Sequence, residues 1–284
     1  MGSRRPRLVV LGGTFDRFHV GHQALLAAAL AAGSSIGVGV TTARYLRSHP
    51  KPLGERVQPY STRKAAVVRF LEGHRSGQRV YVGPLNDRWG RSVGPEASLL
   101  VISPDTRAGA RSVNAERRRR GLPPVRVKVI PFVLADDLIP VSSRRIRSGA
   151  ISAEGRRLRA LRVGLATDRA TDVGMVEAAL KPWMPGVRVR IHRVGSDEAS
   201  PRVRTARTAA DLASTRADEA IRHAELGIGV ARGSSNSRGL AVAIRDSSGE
   251  WPRPSRRVDR ASNLARVVDE WVGHRARGRG ATPA

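Results

Sequence analysis

The stretch from residue 7 to residue 33, RLVVLGGTFDRFHVGHQALLAAALAAG, limits the fold more than any other. A continuous aliphatic run ends at the pair Gly12 and Gly13, passes through a polar loop, and gives way to an Ala- and Leu-rich segment closed by Gly33. A short run without polar alternation reads as a strand buried on both faces, as in parallel sheets, and parallel neighbours need a crossover helix. The stretch is therefore a βα unit.

The same alternation continues. SIGVGVTT (35–42) reads as a second strand and 47–61 as a polar, Pro-containing connection. STRKAAVVRFLEG (61–73) is an amphipathic helix with Ser61 as its N-cap and Gly73 as its end. RVYVGPL (79–85) and SLLVISP (98–104) are strands, 110–121 a helix, VRVKVIPFVLAD (125–136) a strand and SSRRIRSG (142–149) a short helix. This order predicts a Rossmann-like α/β domain, a doubly wound parallel sheet, over residues 1–152.

The small, charged connection 150–160 precedes a new strand, LRVGLAT (161–167). A second α/β domain is expected over 160–274, with helix 172–182, strand 187–194, helix 206–224, strands near 226–231 and 239–245, and helix 261–273. Residues 275–284 read as a disordered tail. A length of 284 residues suits two domains.

Charge raises a competing class. The formal net charge is +27, yet only four of 51 basic residues are lysines, and the arginines spread along the whole chain. A basic nucleic-acid-binding protein is the alternative, but 4% aromatic residues leave few stacking platforms, and no RNP-like aromatics, zinc knuckle or KH loop is present. Nonspecific nucleic-acid adhesion is the expectation from charge alone. The absence of cysteine excludes disulfides and thiolate metal sites. The run LVVL is shorter than the roughly 7–15 apolar residues of a signal peptide, and 24–32 is far below the roughly 20 that span a bilayer. No membrane association and a cytoplasmic location are the expectations; nothing in the sequence sets an oligomeric state.

The candidate chemistry lies in GGTFDRFHVGH, residues 12–22. Gly12 and Gly13 allow a sharp turn that leaves backbone amides facing a ligand, and Thr14 adds a hydroxyl. If His19 and His22 open the next helix, their spacing puts both imidazoles on one face, near the positive end of the helix dipole. Gly21 leaves room for a phosphate. Every donor points at an anion, whereas a metal site would need more ligands than nearby Asp16.

GTFDRFHVGH resembles the signature of the HxGH nucleotidyltransferase superfamily. YLRSHPKPLGERVQPYSTRKAAVVRFL, LNDRWGRSV, LLVISPDTRAGARSVNAERRRRGLPPVRVKVIPFVLADD and IPVSSRRIRSG narrow the likeness. These resemble the archaeal and eukaryotic-type phosphopantetheine adenylyltransferases over residues 7–150. That family moves AMP from ATP to 4'-phosphopantetheine, giving dephospho-CoA and pyrophosphate in coenzyme A biosynthesis. The resemblance implies ATP and 4'-phosphopantetheine as substrates and Mg2+ with the ATP. Other acceptors, such as nicotinamide or flavin mononucleotide, stay open to the first motif alone; 47–63 and 112–122 argue for pantetheine.

By the same resemblance, His22 contacts the α-phosphate and His19, with Gly21, lines the triphosphate site. Thr14 orients the acceptor phosphate, with Gly12, Gly13, Phe15, Arg63 and Arg117 at substrate-binding positions. Lys51 bridges the two substrates. Ser142, Ser143, Arg145 and Arg147 match a turn at the ATP phosphates, in which Arg144 replaces a Thr. The rest of the run 116–120 reads as a solvated helix face. The acceptor, a phosphate monoester, is already an anion near neutral pH. Catalysis then rests on positioning and charge stabilisation, without a general base.

Residues 161–272 faintly resemble the inosine/xanthosine triphosphatase family. The order of elements matches, but ATDRAT (166–171) lacks a Lys, Arg207 stands where a carboxylate is expected, and Ala231 replaces a Glu. Thr167, Asp168, Asp211, Asp218 and Glu219 remain without completing the pattern. Magnesium-dependent hydrolysis needs those carboxylates, so the expectation is a retained fold without hydrolase activity, a bifunctional protein being the alternative.

Overall fold

A computed structural model of the chain describes residues 8–167, 169, 171–194, 209–232, 239–246, 258–259, 268–269 and 272. The chain forms two compact units, Met1–Val133 with Val141–Arg156, and Leu134–Pro140 with Arg157–Ala284. No helix among the described residues is long and apolar enough to cross a membrane.

The first unit is built on five parallel strands, β1 (Leu8–Gly13), β2 (Ser35–Thr41), β3 (Arg79–Leu85), β4 (Ala97–Ile102) and β5 (Arg126–Val129). Their order in the sheet is β3-β2-β1-β4-β5. Helices α1 (Val20–Leu30), α2 (Ala43–Ser48), α3 (Tyr60–His74), α4 (Arg107–Arg119) and α5 (Ser143–Arg147) complete it. Val9 and Leu11 of β1 and Leu99 and Val101 of β4 pack with Leu26, Leu30, Val67 and Leu71 of α1 and α3. Their neighbours Leu8, Val10, Leu100 and Ile102 turn the other way, toward Val93 and toward Ala110 and Val113 of α4. A two-residue period with both faces covered is why the run at 8–11 is wholly apolar. The order of strands reverses between β1 and β4, and at such a switch point a crevice opens beyond the carboxyl ends of the strands.

Several boundaries differ from the sequence reading, among them α4, expected at 110–121 and observed at Arg107–Arg119. The helix expected from Ser61 to Gly73 runs from Tyr60 to His74; extended Pro59 precedes it without a side-chain cap, and Ser61 lies in its first turn. Strand β5 stops at Val129. Ile130 still donates to Ile102, but Pro131 has no N–H to continue the ladder. Helix α2 occupies part of a stretch expected to be loop, its start capped by Thr42 Oγ1, which accepts from the Tyr45 amide at 3.3 Å.

The second unit has β6 (Leu161–Ala166), β7 (Val189–Val194), β8 (Leu226–Arg232), β9 (Gly239–Asp246) and β10 (Val258–Asp259), with α6 (Asp172–Leu180) and α7 (Ala209–Ala220). The order is β10-β9-β8-β6-β7. β6, β7 and β8 are parallel, and β9 and β10 antiparallel, so this α/β unit has a mixed sheet. Residues 134–140 group here, although 134–136 were expected to end the strand that begins at 125 and all seven to belong to the first domain. Leu138 and Ile139 join Leu161, Val163 and Trp183 in its core. Arg157, buried, pairs with Asp137 and Glu225 at 2.8 Å each. Of the helix expected at 261–273, Val268 and Val272 are described and buried, and Trp183 Nε1 donates to Asp269 Oδ1 at 2.6 Å. The tail 275–284, Asp168 and Arg207 lie outside the described residues.

Helix α7 rests directly on strand backbone. Its Ala213, Ala217 and Ala220 are fully buried, and a Cβ at Gly229 would lie 2.0 Å from the Ala213 carbonyl oxygen. Gly227 and Gly164 also meet α7 backbone, where a Cβ would lie 2.6 Å from the Ala217 and 2.4 Å from the Ala220 carbonyl oxygen. The change Gly229→Ala should therefore destabilise the protein by at least the roughly 1–3 kcal/mol of an overpacked core. An unchanged urea midpoint would show that the helix can lift off.

Candidate active site

The crevice beyond β1 is a cavity of about 1060 Å³ whose walls include Gly12, Gly13, Thr14, Phe15, His19, Gly21, His22, Lys51, Ser142, Ser143 and Arg147. Thus Lys51 and the α5 turn, far apart in sequence, share one cavity with the signature. Phe15 and Arg17 hold φ of 52° and 47°, the left-handed region that costs a non-glycine residue about 1–3 kcal/mol when imposed by its surroundings. Between them, buried Asp16 accepts the Gln58 amide at 2.8 Å on Oδ1 and an Arg147 N–H on Oδ2. Those bonds fix the strained turn.

His19 is the N-cap of α1, and its Nδ1 accepts the Gly21 amide at 3.2 Å. Nδ1 is therefore unprotonated, which places the proton of the neutral ring on Nε2, 3.4 Å from Ser143 Oγ. Ser143 in turn donates to the Asp16 carbonyl at 2.7 Å. His22 stacks on His19 with ring centroids 3.8 Å apart and an interplanar angle of 24°. A side chain at residue 21 would press on the His19 ring, 3.1 Å from its nearest atoms, so glycine keeps the pair in place.

Both rings are neutral at pH 7. Burial lowers the His19 pKa to about 4 against the opposing pull of Asp16. Burial first, then the neighbouring His19 and Lys51, hold His22 well below the usual range. Its Nδ1 is buried without a hydrogen-bond partner. Lys51 is exposed, yet partial desolvation and the Arg147 charge lower its pKa too. Among the described residues no group of three or more His, Asp or Glu is placed to hold a metal.

Residues 10–149 match the cytidylyltransferase-like family. A phosphopantetheine adenylyltransferase of Methanopyrus kandleri is 44% identical over 144 residues, 50% of this chain and 90% of that protein. Another, of Methanothermobacter thermautotrophicus, is 37% identical over 164 residues, 57% of this chain and 96% of that protein. The chain belongs to the phosphopantetheine adenylyltransferase family. A bifunctional phosphopantetheine adenylyltransferase/NTP phosphatase of Thermoplasma acidophilum is similar over more of it, 28% identical over 229 residues, 80% of this chain and 67% of that protein.

Within this adenylyltransferase fold, Arg147 lines the cavity as expected, whereas the other three arginines expected at the substrates sit elsewhere. Arg63 is buried behind the cavity, donating to the carbonyls of Gln58, Thr14 and Thr41 at 2.9, 2.6 and 2.8 Å. Arg117 donates to the carbonyls of Pro123, Ser92 and Gly94 at 2.7, 2.8 and 2.8 Å. Neither lines the cavity, nor does buried Arg145. A guanidinium is buried only when its N–H groups find acceptors, and strand-end and turn carbonyls supply them here. Arg144 does reach the cavity wall and is exposed. Asp16 was considered only in setting aside a metal site and was given no role; the signal for its place was a carboxylate inside a glycine-rich anion loop of a strongly basic chain.

The depressed His19 pKa sets a pH dependence. The unfolded chain takes up this proton near pH 6.5 and the folded protein only near 4, so stability falls as pH drops through that window. The loss should reach about 3 kcal/mol, read from urea unfolding at a series of pH values. His19→Asn, which keeps a capping acceptor, should make the decline shallower; an identical slope would place the titration elsewhere.

Proposed function

We propose that the chain transfers the adenylyl group of ATP to 4'-phosphopantetheine, releasing pyrophosphate. The observation that carries the reading is the convergence, in a family member, of neutral histidine donors, glycine amides, two serines and Lys51 on one cavity. A phosphate oxygen of the acceptor attacks the α-phosphorus, a new P–O bond forms, and the bond to the pyrophosphate oxygen breaks. No proton need leave the nucleophile. The barrier is the approach of one anion to another, so the protein contributes orientation and compensating charge.

In this reading Thr14 and the Gly12 and Gly13 amides orient the acceptor, and Lys51 lies between the two substrates. Ser142, Ser143 and Gly21 belong to the nucleotide side. His22 faces the α-phosphate, where the proximity of a polyanion raises its pKa and strengthens its donation as charge develops. Mg2+ arrives as part of the nucleotide substrate. Asp16 is already committed to Gln58 and Arg147, and magnesium is commonly held by substrate phosphates with few protein ligands. A cytoplasmic location, with its ATP supply, completes the proposal.

For the second unit we propose a fold without hydrolysis. Ala231, in the position of the missing Glu, is fully buried in β8, while Asp211 and Asp218 are exposed, the latter paired with Arg245 at 2.9 Å.

One pyrophosphate-release assay tests the whole reading. Full-length protein with Mg2+, ATP and 4'-phosphopantetheine should release pyrophosphate, and ITP or XTP alone should not be hydrolysed. Turnover of nicotinamide or flavin mononucleotide in place of phosphopantetheine would overturn the acceptor. His22→Ala should lower kcat by about 10²–10³, the usual cost of a lost transition-state donor, while ATP binds nearly as before. An unchanged kcat would remove His22 from the mechanism.

A further inference from the structure

Helix α5 turns one face to the cavity. Ser143, Arg144 and Arg147 lie on the cavity wall, while Arg145 and Ile146 do not, as expected of residues three and four positions apart on a helix. That face is fixed against the start of α1. Ser143 Oγ donates to the Asp16 carbonyl at 2.7 Å and lies 3.4 Å from His19 Nε2. A Cβ at Gly21 would lie 3.8 Å from the carbonyl oxygen of Val141, which leads into α5. Arg144 therefore shares the rim on which the histidine pair sits.

Among the described residues, the cationic side chains on the cavity wall are Lys51, Arg88, Arg91, Arg144 and Arg147. Arg147 is paired with buried Asp16, and Arg91 with Glu96 at 3.3 Å and with the face of the Tyr81 ring at 4.8 Å. Arg88 follows β3, an edge strand two places from β1 in the sheet. Arg144 adjoins Ser143 in the chain, is exposed, and its side chain has no hydrogen bond or ion pair among the described residues. A hydrated guanidinium of that kind adds little to folding. Phosphate oxygens entering the cavity would give its fork two acceptors at once.

Adenylyl transfer needs such a group on the leaving side. As the bond from the α-phosphorus to the bridging oxygen breaks, its electron pair stays on that oxygen, and the departing pyrophosphate gains negative charge. Both histidines are neutral and supply hydrogen bonds alone, and the charge of Arg147 is offset by Asp16. A guanidinium without a counter-ion supplies a whole compensating charge, and it stays protonated throughout. The His22 ring is packed against Phe15, Phe18 and His19. Exposed Arg144 lies instead toward solvent, where pyrophosphate must depart.

We propose that Arg144 binds the β- and γ-phosphates of ATP and holds the pyrophosphate as it leaves. The inference rests on the reading that α5 lies on the nucleotide side, but not on the identity of the acceptor. It gives a use to the place where this turn departs from the pattern it resembles, since a guanidinium reaches phosphates that the hydroxyl of a Thr would not.

The test is calorimetry on the full chain without acceptor, with ATP, pyrophosphate and AMP as separate ligands in the presence of Mg2+. The parent is compared with Arg144→Gln, Arg144→Thr and Arg144→Lys. In the Gln and Thr variants the Kd for ATP and for pyrophosphate should rise about tenfold or more, with AMP within about twofold of the parent. The Lys variant should recover part of the loss, because it keeps the charge without the fork. In pyrophosphate release at saturating ATP, kcat of Arg144→Gln should fall about tenfold or more. Unaltered affinities for ATP and pyrophosphate would overturn the proposal. An equal loss for all three ligands would overturn it as well, since Arg144 would then act through the fold of the cavity and not on the terminal phosphates. An unchanged kcat would strike out the hold on the leaving group. A parent protein that binds ATP and leaves phosphopantetheine unused would defeat the acceptor assignment alone, and the three affinities would still decide the case of Arg144.

Discussion

A carboxylate buried beneath a loop built to receive phosphates is the constraint on which the first unit depends. Asp16 cannot stay charged in the interior without partners, and the partners it takes come from α5 and from the segment after Lys51. Satisfying one ionised group therefore closes three stretches of chain around one cavity. The left-handed turn at Phe15 and Arg17 is tolerable because the same bonds over-determine it. The peptide that presents Gly12 and Gly13 is consequently set before any ligand arrives.

The histidine pair follows a related logic. Burial and close stacking keep both rings uncharged, so the cavity carries donors without the repulsion that two imidazolium ions would impose. His19 spends its ring nitrogens on the Gly21 amide and Ser143, which fixes the start of α1 and seats His22 against its face. The two histidines of the signature thus differ in kind. Both line the cavity, His19 with its ring nitrogens bonded within the fold and His22 with a buried Nδ1 that has no hydrogen-bond partner.

How much of this could be read from the sequence varies with the physics involved. The aliphatic run before Gly12, with the helix after it, was legible because continuous hydrophobicity over a few residues has few structural solutions. The signature was legible because glycine, threonine and histidine at those spacings have few uses together. Arginines were another matter: in a chain with 47 arginines among its 51 basic residues, nothing local separates Arg63 and Arg117, buried on carbonyls, from the solvated run at 118–120. Their fate is decided by long-range acceptors. Residues 134–140 were misread for a similar reason, since Leu138 and Ile139 reveal which core they join only once the strands of the second unit exist.

The bare seat of α7 on Gly164, Gly227 and Gly229 bears on how such a unit changes over evolutionary time. Exposed carboxylates such as Asp211 and Asp218 can be exchanged with little consequence for packing, whereas the glycines beneath α7 leave no space for even a methyl group. Drift would then erode chemistry first and architecture last. A chain can in this way keep the outline of a nucleotide-processing domain long after the residues that gave it work have been replaced.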